Sequence, residues 1–205
     1  MHEAKILIVG AGGPGAAVAA HLAAAGAGYI AIADGGSDDG FNRAEILAAR
    51  LSLLQPDLHA DPYPVDVDDA NSVAIAAGHD AIVDASGDTV AGRLLARAGA
   101  ELAVPVVHIE GGAVLVTRPG ETACFGCAEE TGDGRLETGD VAPVERSLLA
   151  GLMGAVAAVG LAVVLREPPS EAVLRTARVP PEIVTRVVAR DPSCAVCAAV
   201  PEGAR

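Results

Sequence analysis

Apolar and polar positions fall into alternating blocks along the chain. The first block is Ala4–Val9, closed by the unbroken run Ile6-Leu7-Ile8-Val9, which predicts a strand buried on both faces. Pro14–Ala27 predicts a helix with proline in its first turn, and Tyr29–Ala33 a second strand ending at Asp34. Over Asn42–Leu54 the apolar residues Ile46, Leu47, Leu51 and Leu54 recur at helical spacing. Gln55-Pro56-Asp57 stops that helix, because proline drives the residue before it out of the helical region. Residues 58–68 predict a third strand interrupted by Pro62 and Pro64, and Asn71–Ala77 a short helix. Next come a strand over Ala81–Val83 ending at Asp84, a helix over Thr89–Ala103, a strand over Val104–Ile109, and an antiparallel addition starting at Ala113–Val116. Strands alternating with helices define an α/β class: a Rossmann-like, mainly parallel sheet with helices on both faces and an antiparallel C-terminal extension. One domain over residues 1–205 is expected. Ligands of such sheets sit beyond the carboxyl ends of the strands, where Gly10, Asp34, Asp84 and His108 fall.

One block departs from this alternation. Ser147–Leu165, "SLLAGLMGAVAAVGLAVVL", carries no charge and is long enough to span a bilayer. Its flanking charges Glu145, Arg146, Arg166 and Glu167 have mixed sign, no Trp or Tyr anchors it, and glycines recur at 151, 154 and 160. The expectation is a buried core helix. The formal net charge of −13 works against phosphate backbones and anionic membranes, and aromatic residues make up only 2%, leaving little for base stacking. Neither a nucleic-acid partner nor a membrane is expected. The start Met1-His2-Glu3-Ala4-Lys5 runs into the first strand without signal-peptide features, so a cytoplasmic location is expected. Thr131–Val141 is polar and glycine-bearing and reads as a mobile loop.

The loop "GAGGPG" places Gly10, Gly12 and Gly15 at G-x-G-x-x-G spacing between strand and helix. Such a loop offers a tight turn, backbone open to a phosphate, and a helix N-terminus with free N–H groups. It does not by itself distinguish ATP from NAD or FAD. All four cysteines lie in two C-x-x-C pairs, Cys124/Cys127 and Cys194/Cys197. In a chain expected to be intracellular, two such pairs read as a closed tetrahedral zinc site that clamps the tail to the segment after the sheet. A redox dithiol and two buried structural pairs are the other readings. His108 and Glu110 fall on the ligand edge, where a hydrogen-bonded strand-end histidine is the commoner case.

The loop, the Asp closing the second strand and the separated C-x-x-C pairs together resemble the ThiF/MoeB/HesA family, relatives of ubiquitin-activating enzymes. The resemblance extends to "RAEILAARLSLLQPD" at 43–57, to "DASGDTVAGR" at 84–93, to the glycine-bearing helix at 147–165, and to the closing "DPSCAVC". It implies adenylation of a carboxylate by ATP and Mg2+, the carboxylate being the C-terminus of a ubiquitin-like or sulfur-carrier protein, a peptide or a small acid. It also implies a dimer. By the same resemblance Gly10, Gly12 and Gly15 face the phosphates, Asp34 takes the ribose hydroxyls, and Arg43 stands where the family has a phosphate-binding Lys. Asp88 is the Mg2+-associated acid, five residues before Arg93, and Asp84 matches the first Asp of that motif, with Gly87 an apparent insertion between them. A plain helix cap is the other reading of Asp88.

The chain also departs from the family. Only "GGSDDGFN", residues 35–42, stands where the family carries a longer segment with a phosphate-binding Arg, and Asp38 and Asp39 bring negative charge there. Residues 128–146 contain no cysteine, so a covalent sulfur step is not expected. Two readings follow: an active adenylyltransferase without a cysteine intermediate, or a catalytically degenerate relative that binds or pairs with a competent homologue as a heterodimer. An NAD-dependent oxidoreductase is a third, which suits the loop and acidic residue but leaves the cysteines unexplained.

Overall fold

The computed structural model describes residues 2–110, 112–130, 143–167, 169–178 and 182–197. Strand β1 (Lys5–Val9), helix α1 (Gly13–Ala24) and strand β2 (Tyr29–Ala33) form the opening β-α-β unit. A hairpin follows, β3 (Ser37–Asp38) with β4 (Phe41–Asn42), then α2 (Arg43–Leu54), β5 (His59–Tyr63), α3 (Ser72–Ala76), β6 (Ala81–Asp84) and α4 (Thr89–Leu102). The remaining elements are β7 (Val106–Glu110), β8 (Ala113–Thr117), α5 (Phe125–Glu130), α6 (Pro143–Val164), β9 (Ala172–Arg178) and β10 (Glu182–Val188). The main sheet runs β10-β9-β8-β7-β6-β1-β2-β5. From β5 to β7 its neighbours are parallel, and from β7 to β10 antiparallel. The parallel part reverses direction of growth between β1 and β6, and a ligand crevice is expected at that switch point.

Side chains alternate across the sheet, so each strand feeds two cores. Ile6, Ile8, Ile30 and Ile32 pack against Val18 and Leu22 of α1, Leu47 and Leu51 of α2, and Met153 and Leu161 of α6. Leu7, Val9, Ala31 and Ile82 face Leu95 and Ala98 of α4 on the other side. A third, smaller core joins Leu115, Phe125, Leu174 and Val188 to the four cysteines. Residues 58–68 condense to the five-residue β5, which occupies the outer edge of the parallel part, the position at which Pro62 costs the sheet least.

Helix α6 is long and apolar enough to cross a membrane. One side of it is core: Met153, Ala157, Leu161 and Val164 are buried, and a Cβ on Gly154 would fall 2.6 Å from Ala17 Cβ and 2.8 Å from Val18 N in α1. The two helices therefore touch backbone to backbone. Val144, Leu148, Val159 and Val163 on the same helix are exposed. The expected loop over Thr131–Val141 lies outside the described residues.

Candidate active site at the sheet's switch point

A cavity of about 320 Å³ opens at the carboxyl ends of β1, β2 and β6. Among its walls are Gly10, Asp34, Arg43, Asp66, Ser86 and Asp88, supplied by five separate segments. Gly10 turns the chain there with φ +93, and a Cβ on it would lie 2.5 Å from the Ala85 carbonyl oxygen. Glycine is thus required by both conformation and space. Gly15 serves the turn in a different way. Its missing Cβ would lie 1.8 Å from the Gly10 carbonyl oxygen, so it lets α1 close down on the loop. Gly12 caps α1 with no neighbour within 4 Å of where a Cβ would be, and neither it nor Gly15 is among the cavity walls.

Asp34 is the most heavily engaged carboxylate in this region. Its Oδ2 accepts from Ala11 N at 2.8 Å. Its Oδ1 accepts from Gly36 N at 2.8 Å and from Arg43 Nε and Nη2 at 3.1 and 2.9 Å. The pair depends on the hairpin between them. Asp39 and Gly40, at φ 50 and 85, form the two-residue turn joining β3 to β4, the positive-φ geometry that an Asp-Gly pair suits. The returning strand places Arg43 N on Gly36 O at 3.0 Å. Asn42 caps α2 through its Oδ1, which accepts from Ala44 N and Glu45 N, and its Nδ2 donates to Asp34 O and Gly36 O. The guanidinium lies across Gly36, where a Cβ would come within 2.0 Å of Arg43 Nη2.

Arg43 thus reaches the cavity wall already paired. Two of its N–H donors point at Asp34, and the planar five-donor fork leaves others for a second acceptor. Asp34 Oδ2 correspondingly keeps acceptor capacity beyond Ala11 N. On the far side of Arg43 a second cavity, about 290 Å³, is bounded by Ala11, Asp38, Asp39, Phe41 and Arg50. The acidic hairpin therefore faces that space.

Asp88 is exposed and caps α4: its Oδ1 accepts from Val90 N at 2.7 Å and from Ala91 N at 3.4 Å. Gly87, at φ +67, takes a left-handed turn that suits glycine. Asp84 is not among the cavity walls. It is buried beneath them, accepting from Ser86 N and Oγ on Oδ1 and paired through Oδ2 with His108 Nδ1 at 2.9 Å. His108 is thus the hydrogen-bonded strand-end histidine. Arg93, the arginine of the same motif, donates through Nε to Glu129 in α5 at 2.7 Å.

The four cysteines converge in the third core. All four are buried and reduced, and their sulfurs lie within 4.8 Å of one another. Cys124–Cys127, Cys124–Cys194 and Cys127–Cys197 sulfur separations are 3.9, 3.7 and 3.6 Å. A tetrahedron with Zn–S bonds of about 2.3 Å has edges of about 3.8 Å, so this donor set fits zinc. Burial pushes the Cys124 thiol well up and the Cys197 thiol up to about 11. Burial also opposes ionisation of Cys127, but hydrogen bonds from the backbone at Cys124 and Asp191, together with those from the Cys197 and Cys194 thiols, outweigh burial and bring it below the usual thiol value. A divalent cation would offset the negative charge that burial penalises and let the raised thiols lose their protons and ligate as thiolates.

Sequence reasoning missed Asp66, which accepts from Gly35 N at 3.1 Å and shares the cavity wall, and Ser86, which ties Asp84 to Asp88. No spacing rule points to Asp66. Ser86 carried a signal, a hydroxyl placed two residues from each of two aspartates.

With this geometry in hand, the comparisons place the chain. It belongs to the ThiF family, which matches residues 1–196. It is 28% identical to the molybdopterin-synthase adenylyltransferase of Escherichia coli K12 over 96% of this chain and 88% of that protein. It is 31% identical to the SAMP-activating enzyme E1 of Haloferax volcanii over 61% of this chain and 53% of that protein. Against the adenylyltransferase and sulfurtransferase UBA4 of Vanderwaltozyma polyspora the match is 26% identical and spans 34% of that protein. The chain thus spans a third to a half of two of these relatives. Among solved structures, E. coli MccB with AMPCPP and MccA superposes with a TM-score of 0.73 at 19% identity, covering 95% of this chain and 66% of MccB, a likeness of fold.

Proposed function

We propose that this chain is an ATP-dependent adenylyltransferase that activates a carboxylate, at the C-terminus of a small carrier protein or peptide or on a small acid. The carrying observation is the convergence of Gly10, Asp34, Arg43 and Asp88 on one cavity at the switch point. A carboxylate oxygen attacks the α-phosphorus of ATP, the bond to the bridging oxygen breaks, and pyrophosphate leaves with the acyl-adenylate formed. Gly10, Gly12 and Gly15 shape the phosphate loop, and Asp34 Oδ2 accepts from the ribose. The free N–H groups of Arg43 meet the phosphates, where developing negative charge needs a fixed donor. Asp88, exposed at the cavity rim, is the carboxylate that would hold Mg2+, an ion that takes one or two protein carboxylates and leaves its other positions to phosphate and water. Asp84 sits behind it as support.

The relatives named adenylyltransferase and activating enzyme favour this reading. All four cysteines are taken up in the zinc-type cluster, which leaves none for a thioester or persulfide. The reaction therefore ends at the adenylate. We read the chain as a single domain acting in the cytoplasm as a homodimer, with zinc structural.

A second reading rests on a specific feature. Asp38 and Asp39 occupy the place where the family brings an arginine, and Arg43 is committed to Asp34, as suits a degenerate partner of a competent homologue. ATP–pyrophosphate exchange, run with carrier or peptide carboxylates and alongside calorimetry with ATP alone, separates the two. Exchange that falls at least ~100-fold in Arg43→Ala or Asp88→Ala supports the enzyme, the scale for groups that stabilise transition-state charge. No ATP binding and no exchange, with or without a ThiF-family partner, would establish the degenerate reading.

A further inference from the structure

His108 is a buried, chemically capable side chain that the proposed reaction does not use. It is 2% exposed, and its Nε2 is buried with no hydrogen-bond partner among the described residues. Its ring stacks on Phe125, with centroids 4.8 Å apart and planes at 29°. Phe125 is the residue immediately after Cys124, so the ring rests on the turn of the first cysteine pair.

From His108 a line of hydrogen bonds runs to the cavity rim. A carboxylate only accepts, so Nδ1 carries the proton given to Asp84 Oδ2 at 2.9 Å. Asp84 Oδ1 takes the Ser86 hydroxyl at 2.7 Å and Ser86 N at 3.1 Å. Ser86 Oγ in turn accepts from Asp88 N at 3.2 Å. Gly92 closes the far side: a Cβ there would meet Phe125 Cε1 at 2.9 Å and Asp84 Oδ2 at 3.1 Å. Asp84 is thus clamped between ring, helix and turn, and the turn it anchors includes the left-handed Gly87, which would otherwise be free to vary.

We propose that His108 is a positioning residue for Asp88: through Asp84 and Ser86 it fixes the 84–88 turn so that the exposed carboxylate faces the metal-bound phosphates. The inference rests on the reading of Asp88 as the Mg2+ carboxylate for its consequence in catalysis, but the positioning itself is separately measurable. An imidazole suits the task because Nδ1 supplies the donor while the ring fills the space under Phe125. Asparagine can place its Nδ2 donor close to the Nδ1 position, whereas leucine fills the space and donates nothing.

The test compares His108→Asn, His108→Leu and Asp88→Asn in the full chain. The first readout is amide hydrogen exchange without nucleotide, at residues 86–91, referenced to amides of β1 so that any global loss of stability cancels. His108→Leu should speed exchange in the turn by ~10-fold relative to β1, the scale of one lost hydrogen bond to a charged group, while His108→Asn restores it to within ~3-fold of wild type. Unchanged relative protection in His108→Leu overturns the proposal. The second readout is the Mg2+ concentration that half-saturates the enhancement of ATP binding, with AMP affinity as control. It should rise by ~10-fold in His108→Leu and in Asp88→Asn, with AMP affinity unmoved. If Asp88→Asn leaves the Mg2+ dependence alone, the functional reading of that carboxylate fails and the exchange data still decide the role of His108. If Asp88→Asn shifts it and His108→Leu does not, the positioning role is refuted.

Discussion

Strands β1 and β10 belong to one sheet and are held in opposite ways. In β1 every residue after Lys5 is buried, and its neighbours β2 and β6 pair with it on both sides. In β10 only Val188 is buried, its one strand neighbour among the described residues is β9, and Ile183 and Val187 are exposed. The parallel half is therefore stabilised by apolar area removed from water, at roughly 25 cal/mol per Å². The outermost strand β10 has little such area of its own, and the chain beyond it brings Cys194 and Cys197 onto Cys124 and Cys127. We expect a cation held by these four thiols to add, at the end of the sheet, to what hydrophobic burial supplies to β1.

Removing that cation has the largest expected effect. Structural zinc sites of this kind are worth ~10–16 kcal/mol of apparent binding energy at neutral pH. About one zinc per chain should copurify, and recovery of less than about a tenth of an equivalent from chelator-free protein would end the zinc assignment. Cys194→Ser or chelation should release β9 and β10 to fast hydrogen exchange and proteolysis while β1, α1 and β2 stay protected. If both halves lose protection together, the division between them is wrong. The sign of the pH dependence follows from the thiols: burial raises Cys124 and Cys197, the bound form needs thiolates, so metal affinity should climb as pH rises and fall on acidification.

The parallel half is best broken at Gly15. Gly15→Ala drives a Cβ to 1.8 Å from a backbone oxygen, which no side-chain adjustment relieves. The cost should be about 3 kcal/mol or more, read as a shift of the denaturant midpoint. Gly12→Ala, with φ −70 and open space, should leave that midpoint almost unchanged and weaken nucleotide binding instead. Equal destabilisation by the two would remove the distinction between the packing glycine and the open one.

The same contrast explains what could be read from the residues in order. The β1-α1-β2 unit, the Asn42 start of α2 and the pairing of the cysteines rest on local signals: an apolar run, a capping amide, a two-residue spacer. The Asp34–Arg43 pair was not legible, because it exists only once Asp39-Gly40 closes a hairpin and Gly36 lets the guanidinium pass over it. His108 and Asp84 meet through neighbouring strands, and β9 and β10 take their places from pairing rather than from pattern. Long-range registers of this sort leave no mark at a fixed sequence spacing.

Asp34 and Asp88 carry the comparison into the site, one carboxylate buried in four hydrogen bonds and the other exposed at a helix end. Asp34→Ala should weaken adenine-nucleotide binding by about 1.5–3 kcal/mol, the scale of a lost hydrogen bond to a charged group. It also strips Arg43 of its partner, so Asp34→Asn, which keeps the shape, belongs beside it. Equal calorimetric affinity in wild type and both variants would place the ribose elsewhere.

The smallest expected change is also the most discriminating. As the cap of α4, Asp88 contributes about 1 kcal/mol through the N–H groups of Val90 and Ala91, and Asp88→Ala should lose about that much stability. Asparagine caps a helix about as well as aspartate, so Asp88→Asn should hold the denaturant midpoint within a few tenths of a kcal/mol. It nevertheless removes the negative charge that Mg2+ requires. If capping were the whole of its role, Asp88→Asn would be silent in both unfolding and pyrophosphate exchange. If Asp88 serves the metal, the same variant keeps its stability and loses exchange, and no destabilised helix is available to explain the loss.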